Sequence, residues 1–426
     1  MTGVLFGVLA ALLLLNVPIA VCLALACGAA FIVSGMTDSM IIIPQKMFTS
    51  MDSFPFMAVP FFMLAGSLME SGGMSKRLIE FAKNLVGALP GGLGIITVVS
   101  SGFFGALSGS NAATVAAIGG TMIPAMQEDG YPNDYAAAVA ASAGTLGVVV
   151  PPSTPMITYG VVSGVSISTL FMAGFLPAFL MIITMSIVII IKARKYNFPT
   201  IKVNMRDLCK SFVNAIFAII MPVVILGGIY GGIFTPTESA AVAVIYALIV
   251  SVFVYKEIAL KDLGEVIIRA GKSTAVVMFV IAASGAFSWL LVSQRIPNMM
   301  AEAILSVLSN KYAILLVINL LLLVLGIFLE TNAIILMITP MLLPIAAQIG
   351  VSYLELGIIM VVNTSVGMLT PPMALNILIA SGIGKVSIER VARQVVPFLL
   401  ALIIDIMIIT YIPGMIEFIP KALNML

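Results

Sequence analysis

The sequence predicts an all-α polytopic membrane protein built from inverted repeats, with two re-entrant helical hairpins and two discontinuous helices. Three observations carry this. First, the 426 residues are 61% hydrophobic and 9% charged, with a mean hydropathy of +1.21; a soluble domain carries about 25% charged residues. Second, the apolar runs are long and alternate weakly, which argues against an outer-membrane barrel. Third, one ordered pattern occurs twice. Gly105-ALSGS-Asn111-Ala112 is followed by Gly147-VVV-Pro151-Pro152, and Gly326-IFLET-Asn332-Ala333 by Gly367-MLT-Pro371-Pro372. Gly105 to Gly147 is 42 positions and Gly326 to Gly367 is 41, and Pro124 and Pro344 follow the two Asn at 13 and 12.

A double proline removes two backbone donors and breaks a helix. Within a bilayer, broken backbone survives only where it is buried in protein or lines a polar cavity. Single Gly or Pro residues in membrane helices mark kinks and close packing. Paired interrupted segments in corresponding halves instead point to a transporter's binding site. Carbonyls freed by Gly and Pro, with an Asn side chain, make a neutral oxygen cage suited to a small hard cation.

The elements follow in order. Residues 3–34 are apolar, interrupted by Asn16 and Pro18, and read as one kinked span or a span with a short interfacial piece. Residues 36–52 read as a mixed loop of amphipathic character, and 54–70 as a span. Residues 71–88 alternate charged and apolar residues at helical spacing and read as an interfacial helix. Residues 91–125, rich in Gly and Ser, fit a re-entrant hairpin with its tip at Ser108-Gly109-Ser110-Asn111. A loop at 126–134 leads to a helix at 135–166 broken at Pro151-Pro152. A span at 168–191 precedes a polar linker, 192–211, holding Lys192, Arg194, Lys195, Lys202, Arg206 and Lys210.

The second half brings spans at 212–231 and 238–255, an amphipathic connector at 256–272, a span at 273–292 and a mixed segment at 293–311. A second hairpin is expected over 312–347, with its tip at Glu330-Thr331-Asn332. A helix at 353–384 is broken at Pro371-Pro372, and a last span covers 395–413. As domains, 1–90 form outer helices of the first repeat, 91–166 the first mobile part, 167–311 outer helices and linker, 312–384 the second mobile part, and 385–426 a C-terminal outer helix.

Orientation comes from basic residues, which concentrate on the cytoplasmic side. Segments 71–88, 192–211, 256–272 and 385–393 hold 16 of the 20 Lys and Arg. Lys46, Arg295, Lys311 and Lys421 fall on the other side. The first hairpin then enters from the cytoplasm and the second from outside, and the tips meet near mid-membrane.

Composition excludes several classes. There is no histidine, so no His-based catalysis, metal site or proton relay. No paired-carboxylate motif or nucleophile–base pair suggests an enzyme. A net charge of +2 gives no reason to expect nucleic acid. Cys22, Cys27 and Cys209 lack metal-ligand spacing and read as packing residues. The N-terminus lacks a basic region and cleavage site and reads as a membrane helix, not a signal peptide. Gly271-Lys272-Ser273-Thr274 resembles the end of a phosphate loop, but position 266 is Val where that pattern needs Gly. With no ATP site visible, energy must come from elsewhere.

Acids within or beside apolar segments are rare and tend to mark ion paths or contacts. Glu330 stands out, two residues before Asn332; a helix-terminal acid facing water is its plainer reading. Glu70 and Glu238 lie at span ends. Asp52 could help bind substrate or a partner. Asp405 sits mid-span in the last helix, where a subunit contact and a functional role are both open. Ser153, Thr154, Thr158, Tyr159 and Ser163 crowd the first broken helix and suit a polyol or carboxylate, or bond back to their own helix. Trp289 reads as an interfacial anchor, and the 28 Met as packing.

At these residues the chain resembles the large membrane subunit of a TRAP (tripartite ATP-independent periplasmic) transporter. The matching stretches are 60–73 (PFFMLAGSLMESGG), the SGSNAA tip, 147–160 (GVVVPPSTPMITYG), 228–241 (GIYGGIFTPTESAA) and 367–376 (GMLTPPMALN). They spread over most of the chain, and its flavour is most similar to the sialic acid members. The resemblance implies a sodium-coupled importer of a small organic acid, sialic acid first and a C4-dicarboxylate as the alternative, in the bacterial inner membrane. It implies an elevator: a scaffold holds a mobile domain made of both hairpins and both broken helices. It also implies two partners, a small membrane subunit and a soluble periplasmic substrate-binding protein. A passive channel is a further alternative, and no organic cofactor is expected.

Carried onto this sequence, one Na⁺ site would use Gly105, Ser108, Asn111, Gly147, Val150 and Ser153, largely through carbonyls. The second would use Gly326, Thr331, Asn332, Gly367, Thr370 and Met373. Met373 stands where the first repeat has Ser153, leaving only its carbonyl. Substrate would lie near Ser110, Ser153, Thr154 and Asn376, with Asp52 a further candidate. Two Na⁺ would order the tips and offset the substrate's charge before the mobile domain slides inward, helped by about 2.3 kcal/mol per net charge per 100 mV.

Overall fold

The computed structural model describes residues 1–426 except 16, 197–203, 309 and 372, and the side chains of 195 and 196. The break at Asn16, Lys202 of the linker and the second proline of the 371–372 pair therefore lie outside the described residues. Every described element is helical, and nine helices among the described residues are long and apolar enough to cross a membrane.

Each signature sits at an interruption. In the first half, helices Gly92–Ser108 and Asn111–Glu128 are joined by two residues and pack together. Ser110 starts the second arm, accepting a hydrogen bond from the Ala113 amide at 3.4 Å. Asn133–Ala143, the single turn Leu146–Val149 and Thr154–Ser163 then follow, with the break at 150–153. In the second half, Lys311–Phe328 and Thr331–Gln348 form the hairpin, and Tyr353–Gly367 and Leu375–Gly384 the broken helix. Ser352 and Glu355 close a capping box that starts the latter.

The broken helices are the molecule's centre. Tyr135 through Ala143 are all buried, as are Leu354 through Gly367. Protein also encloses the first break, where Pro151, Pro152 and Ser153 are buried, which is one condition for irregular backbone at membrane depth; at the second break Pro371 and Met373 are exposed. They cross where the Ser365 hydroxyl donates to the Thr145 carbonyl at 2.7 Å. Thr154–Ser163 packs on Thr331–Gln348, and Leu375–Gly384 packs on Asn111–Glu128, so each half's broken helix rests on the other half's hairpin. Ile167–Tyr196 and Ile388–Tyr411 pack against this group. Asp405 is 1% exposed and accepts from Thr184 at 2.9 Å; it joins two helices of this chain, which removes the subunit contact from its readings.

A second group comprises Ile19–Val33, Ile42–Met51, Ala58–Ser71, Met74–Val86, Met205–Tyr230, Pro236–Ile249 and Leu263–Ser293. It meets the first where Ala58–Ser71 and Met74–Val86 pack on Gly92–Ser108 and where Leu263–Ser293 packs on Thr331–Gln348.

Three expectations change. Residues 3–34 fold as two packed helices, Thr2–Leu14 and Ile19–Val33, because Pro18 caps the second from outside in extended backbone. Residues 36–52 are helical (Thr37–Ile41 and Ile42–Met51), packed along Leu263–Ser293. The connector and span at 256–292 merge into the 31-residue helix Leu263–Ser293. No proline interrupts it, and Glu265 and Arg269 stand one turn apart, a spacing that supports a helix. That merger sets Arg269 in the second turn of a continuous helix.

Candidate functional site

The two glycines of each signature are contact points between hairpin and broken helix. A Cβ on Gly367 would lie 2.7 Å from Cα of Gly326, and one on Gly326 would lie 2.8 Å from the Thr364 carbonyl. In the first half a Cβ on Gly105 would lie 2.8 Å from the Leu146 carbonyl, and one on Gly147 would collide with the Ser110 carbonyl and the Thr114 hydroxyl. Real Cβ atoms do not approach so closely, so only glycine lets the backbones meet.

The spacing G-x3-P-P has a reason in helix chemistry. A helical carbonyl accepts from the amide four residues on, and the first proline stands four residues after the glycine. Pro151 cannot donate to Gly147, nor Pro152 to Val148. The Val148 carbonyl takes the Ser153 hydroxyl instead, at 2.5 Å. In the second half the Gly367 carbonyl takes the Thr370 amide at 2.9 Å, and that of Met368 the Asn376 amide at 3.4 Å.

The two Asn tie the tips to the breaks. Asn111 accepts from the Val148 amide at 3.1 Å and donates to the Ser365 hydroxyl at 2.8 Å and to the Met368 sulfur at 3.4 Å. Asn332 accepts from the Thr158 hydroxyl at 3.2 Å and donates to the Glu330 carboxylate at 2.9 Å. Glu330, not Thr331, caps the second arm, accepting from the Asn332 amide at 3.1 Å. The Thr331 hydroxyl turns instead to the Met368 sulfur, 3.7 Å away, so Met368 sits between the two tips.

Between the two helix groups lies a cavity of about 470 Å³. One wall is made by the tips and first break: Ser108, Ser110, Thr154, Glu330 and Asn332. The other is made by Ala58–Ser71 and Leu263–Ser293, through Ser67, Glu70, Arg269 and Ser273. Thr154 is held by donating to the Gly109 carbonyl at 2.9 Å, and Ser108 shares a 3.0 Å hydrogen bond with Thr114. The wall of the tips offers hydroxyls, an amide and a carboxylate; Arg269 brings a guanidinium from the facing wall.

The expected residues divide by place. Gly105, Ser108, Asn111, Gly147 and Ser153 are gathered around the first tip and break, and Val150 closes the turn there, its amide donating to Leu146 at 3.0 Å. Gly326 and Met373 line a smaller cavity of about 250 Å³ with Glu330 and Met368. Thr331, Asn332, Gly367 and Thr370 do not line it, though they lie near its lining residues in sequence. Ser110 and Thr154 face the larger cavity, and Ser153 stands beside it with its hydroxyl engaged. Asn376 does not face it; it is fully buried between the broken helices and donates to Ala141 at 3.2 Å. Asp52 is exposed at the end of Ile42–Met51 and lines neither cavity.

Sequence reasoning missed Arg269, Ser67 and Ser273 as cavity residues. Ser273 belonged to the dismissed phosphate-loop lookalike, and Arg269 to the connector. The available signal was the absence of proline between 263 and 293.

The family model described as "Tripartite ATP-independent periplasmic transporter, DctM component" matches residues 6–415. The chain is 41% identical over 415 residues to the isethionate TRAP transporter permease protein DctMQ of Oleidesulfovibrio alaskensis, covering 96% of this chain and 65% of that protein's length. It is 39% identical over 399 residues to the C4-dicarboxylate TRAP transporter large permease protein DctM of Pseudomonas aeruginosa, covering 93% of each. It is 37% identical over 380 residues to the sialic acid TRAP transporter permease protein SiaT of Haemophilus influenzae, covering 89% of this chain and 62% of that protein. In fold it is similar to the Alcanivorax borkumensis YdaH transporter, with a TM-score of 0.66 at 15% identity over 88% of this chain and 89% of that one.

Proposed function

The chain belongs to the family of the DctM component of tripartite ATP-independent periplasmic transporters, and from that premise we propose that it imports a small organic acid by Na⁺ symport. It is a large membrane subunit of a transporter, multi-pass in the inner membrane, and not an enzyme. The observation that carries the proposal is the cavity of about 470 Å³ with both hairpin tips on one wall.

The cavity suits an acid carrying hydroxyl groups, which Ser108, Ser110, Thr154 and Asn332 can bond. An organic anion beside the Glu330 carboxylate meets repulsion unless a cation enters too. Carbonyls and hydroxyls at the tips and breaks can hold a small hard cation, which favours coupling to Na⁺ over a passive channel. The two expected Na⁺ sites, around Gly105, Asn111 and Gly147 and around Gly326, Asn332 and Gly367, remain our assignment.

The arrangement of each broken helix on the opposite hairpin supports inverted repeats moving as one body. Gly66 supports a sliding boundary: it lets Ala58–Ser71 approach the first tip, where a Cβ would lie 3.3 Å from Cα of Ser108. We assign the hairpin group as the moving part of an elevator. A small membrane subunit would pack on the outer helices, and a periplasmic binding protein would deliver substrate.

Relatives are named for isethionate, C4-dicarboxylates and sialic acid, so the cargo is assigned to the class of small organic acids, with sialic acid and C4-dicarboxylates equally placed. Uptake of labelled sialic acid, succinate and isethionate into proteoliposomes holding this chain and its small subunit tests this, with the matching binding protein added. Concentrative uptake of one of them under an inward Na⁺ gradient is expected. Downhill flux indifferent to Na⁺ would instead establish a channel.

A further inference from the structure

Arg269 lines the large cavity and also a second cleft of about 210 Å³ bordered by Ser71, Glu257, Asp262 and Glu265. It therefore stands where the cavity meets the basic side of the molecule. Its guanidinium donates to the Ser71 hydroxyl at 2.5 Å. Five carboxylates border the two spaces, Glu70 and Glu330 at the cavity and Glu257, Asp262 and Glu265 at the cleft. Glu70 is near enough to Arg269 to interact through charge, yet among the described residues no carboxylate comes within 4 Å of the guanidinium, the ion pairs being Arg77–Glu257 and Lys421–Glu417. Glu257 is thus engaged elsewhere. A guanidinium offers five donors in a planar fork that fits the oxygens of an acidic group two at a time. Here one bond is spent on a neutral hydroxyl, and the residue is exposed.

The wall of the tips brings no cation of its own among the described residues, whereas the facing wall sets the Arg269 guanidinium near Glu70. The charged group on the wall of the tips is Glu330, so that wall holds an anion only while a cation is bound beside it. Once the cation leaves, Glu330 repels the cargo and Arg269 attracts it. We propose that Arg269 is a second anion-holding residue: it takes the cargo's acidic group as the tips release it, at the mouth of the cavity. The assignment rests on the transport function proposed above. Arg269 determines release and rebinding from the basic side, while loading from the opposite side depends on the tips.

Counterflow in proteoliposomes tests this, with labelled probe outside and unlabelled probe titrated inside; the probe is whichever of sialic acid, succinate and isethionate the wild type accumulates. Arg269→Gln is expected to raise the internal concentration for half-maximal exchange at least tenfold. It should leave half-saturation by external loaded binding protein and by Na⁺ within twofold. Arg269→Lys, which keeps charge without the fork, is expected to fall between. Ser71→Ala, which frees the guanidinium, is expected to lower the internal value. If Arg269→Gln and Ser71→Ala shift it in the same direction, the Arg269–Ser71 bond is structural and the assignment is overturned. An internal value within twofold of wild type in Arg269→Gln overturns it equally. Should the wild type accumulate none of the three probes, the transport proposal fails first and this assignment falls with it. Thermal unfolding of each variant with and without Na⁺ separates a folding defect from a binding one.

Discussion

Asn111 at the first hairpin tip donates to Ser365 of the second broken helix at 2.8 Å, joining positions 254 residues apart. The same side chain holds the Val148 amide at the first break. Hairpin tip, first break and second broken helix thus share one amide group, and anything that orders one orders the others.

Asn111→Ala is expected to remove these bonds and orphan the Val148 amide. Buried interhelical hydrogen bonds in membrane proteins contribute about 0.6 kcal/mol each on average, and an orphaned buried group costs about 1–3 kcal/mol. The variant should unfold at lower temperature and need about tenfold more Na⁺ for half-maximal uptake. Combined with Ser365→Ala, the losses should be less than additive. Wild-type Na⁺ titration curves in Asn111→Ala and in Asn332→Ala would remove the sites from the tips.

Glycine substitutions should separate by place. Gly367→Ala puts a methyl against Gly326, and overpacking of this kind costs about 1–3 kcal/mol. Gly120→Ala, on an arm of the first hairpin with nothing within 4 Å, should be neutral or stabilising by up to about 1 kcal/mol. Thermal unfolding in detergent compares them directly. Equal effects would mean that the glycine contacts do not set the packing.

Ser110→Ala and Thr154→Val are expected to raise KM about tenfold, the loss of about 1.4 kcal/mol of substrate contact, with kcat little changed. Asn376→Ala should lower stability and leave KM alone, since Asn376 faces Ala141 and not the cavity. A raised KM in Asn376→Ala with normal stability would return that residue to the substrate site.

Much of this was legible in the sequence because helix breakers are local. Gly and Pro act through their own backbone, so the paired tips and breaks at 105–111, 150–153, 326–332 and 367–374 follow from residue type and spacing. Side-chain direction is not local. Asn376 carries the right chemistry in the right segment, but the register of a helix packed on Asn133–Ala143 turns it inward. The cap at the second tip is Glu330, whose carboxylate accepts from the Asn332 amide two residues on. Arg269 was hidden for another reason: charge marks a helix end in sequence, yet Leu263–Ser293 continues past it unbroken.

Glu330→Gln keeps one acceptor for the Asn332 amide but removes the charge at the second tip. Na⁺ half-saturation is expected to rise severalfold, with anion binding at saturating Na⁺ preserved or improved, because a repelling carboxylate is gone. Unchanged Na⁺ dependence would detach Glu330 from coupling.

The most direct test of the account is uptake with and without a gradient at fixed external Na⁺. Proteoliposomes holding the chain, its small subunit and the loaded binding protein are given the same external Na⁺ over a Na⁺-free or a Na⁺-matched interior. The account predicts accumulation above the external concentration with the Na⁺-free interior and none with the matched one. Equal uptake in both, stopping at equilibrium, would contradict it.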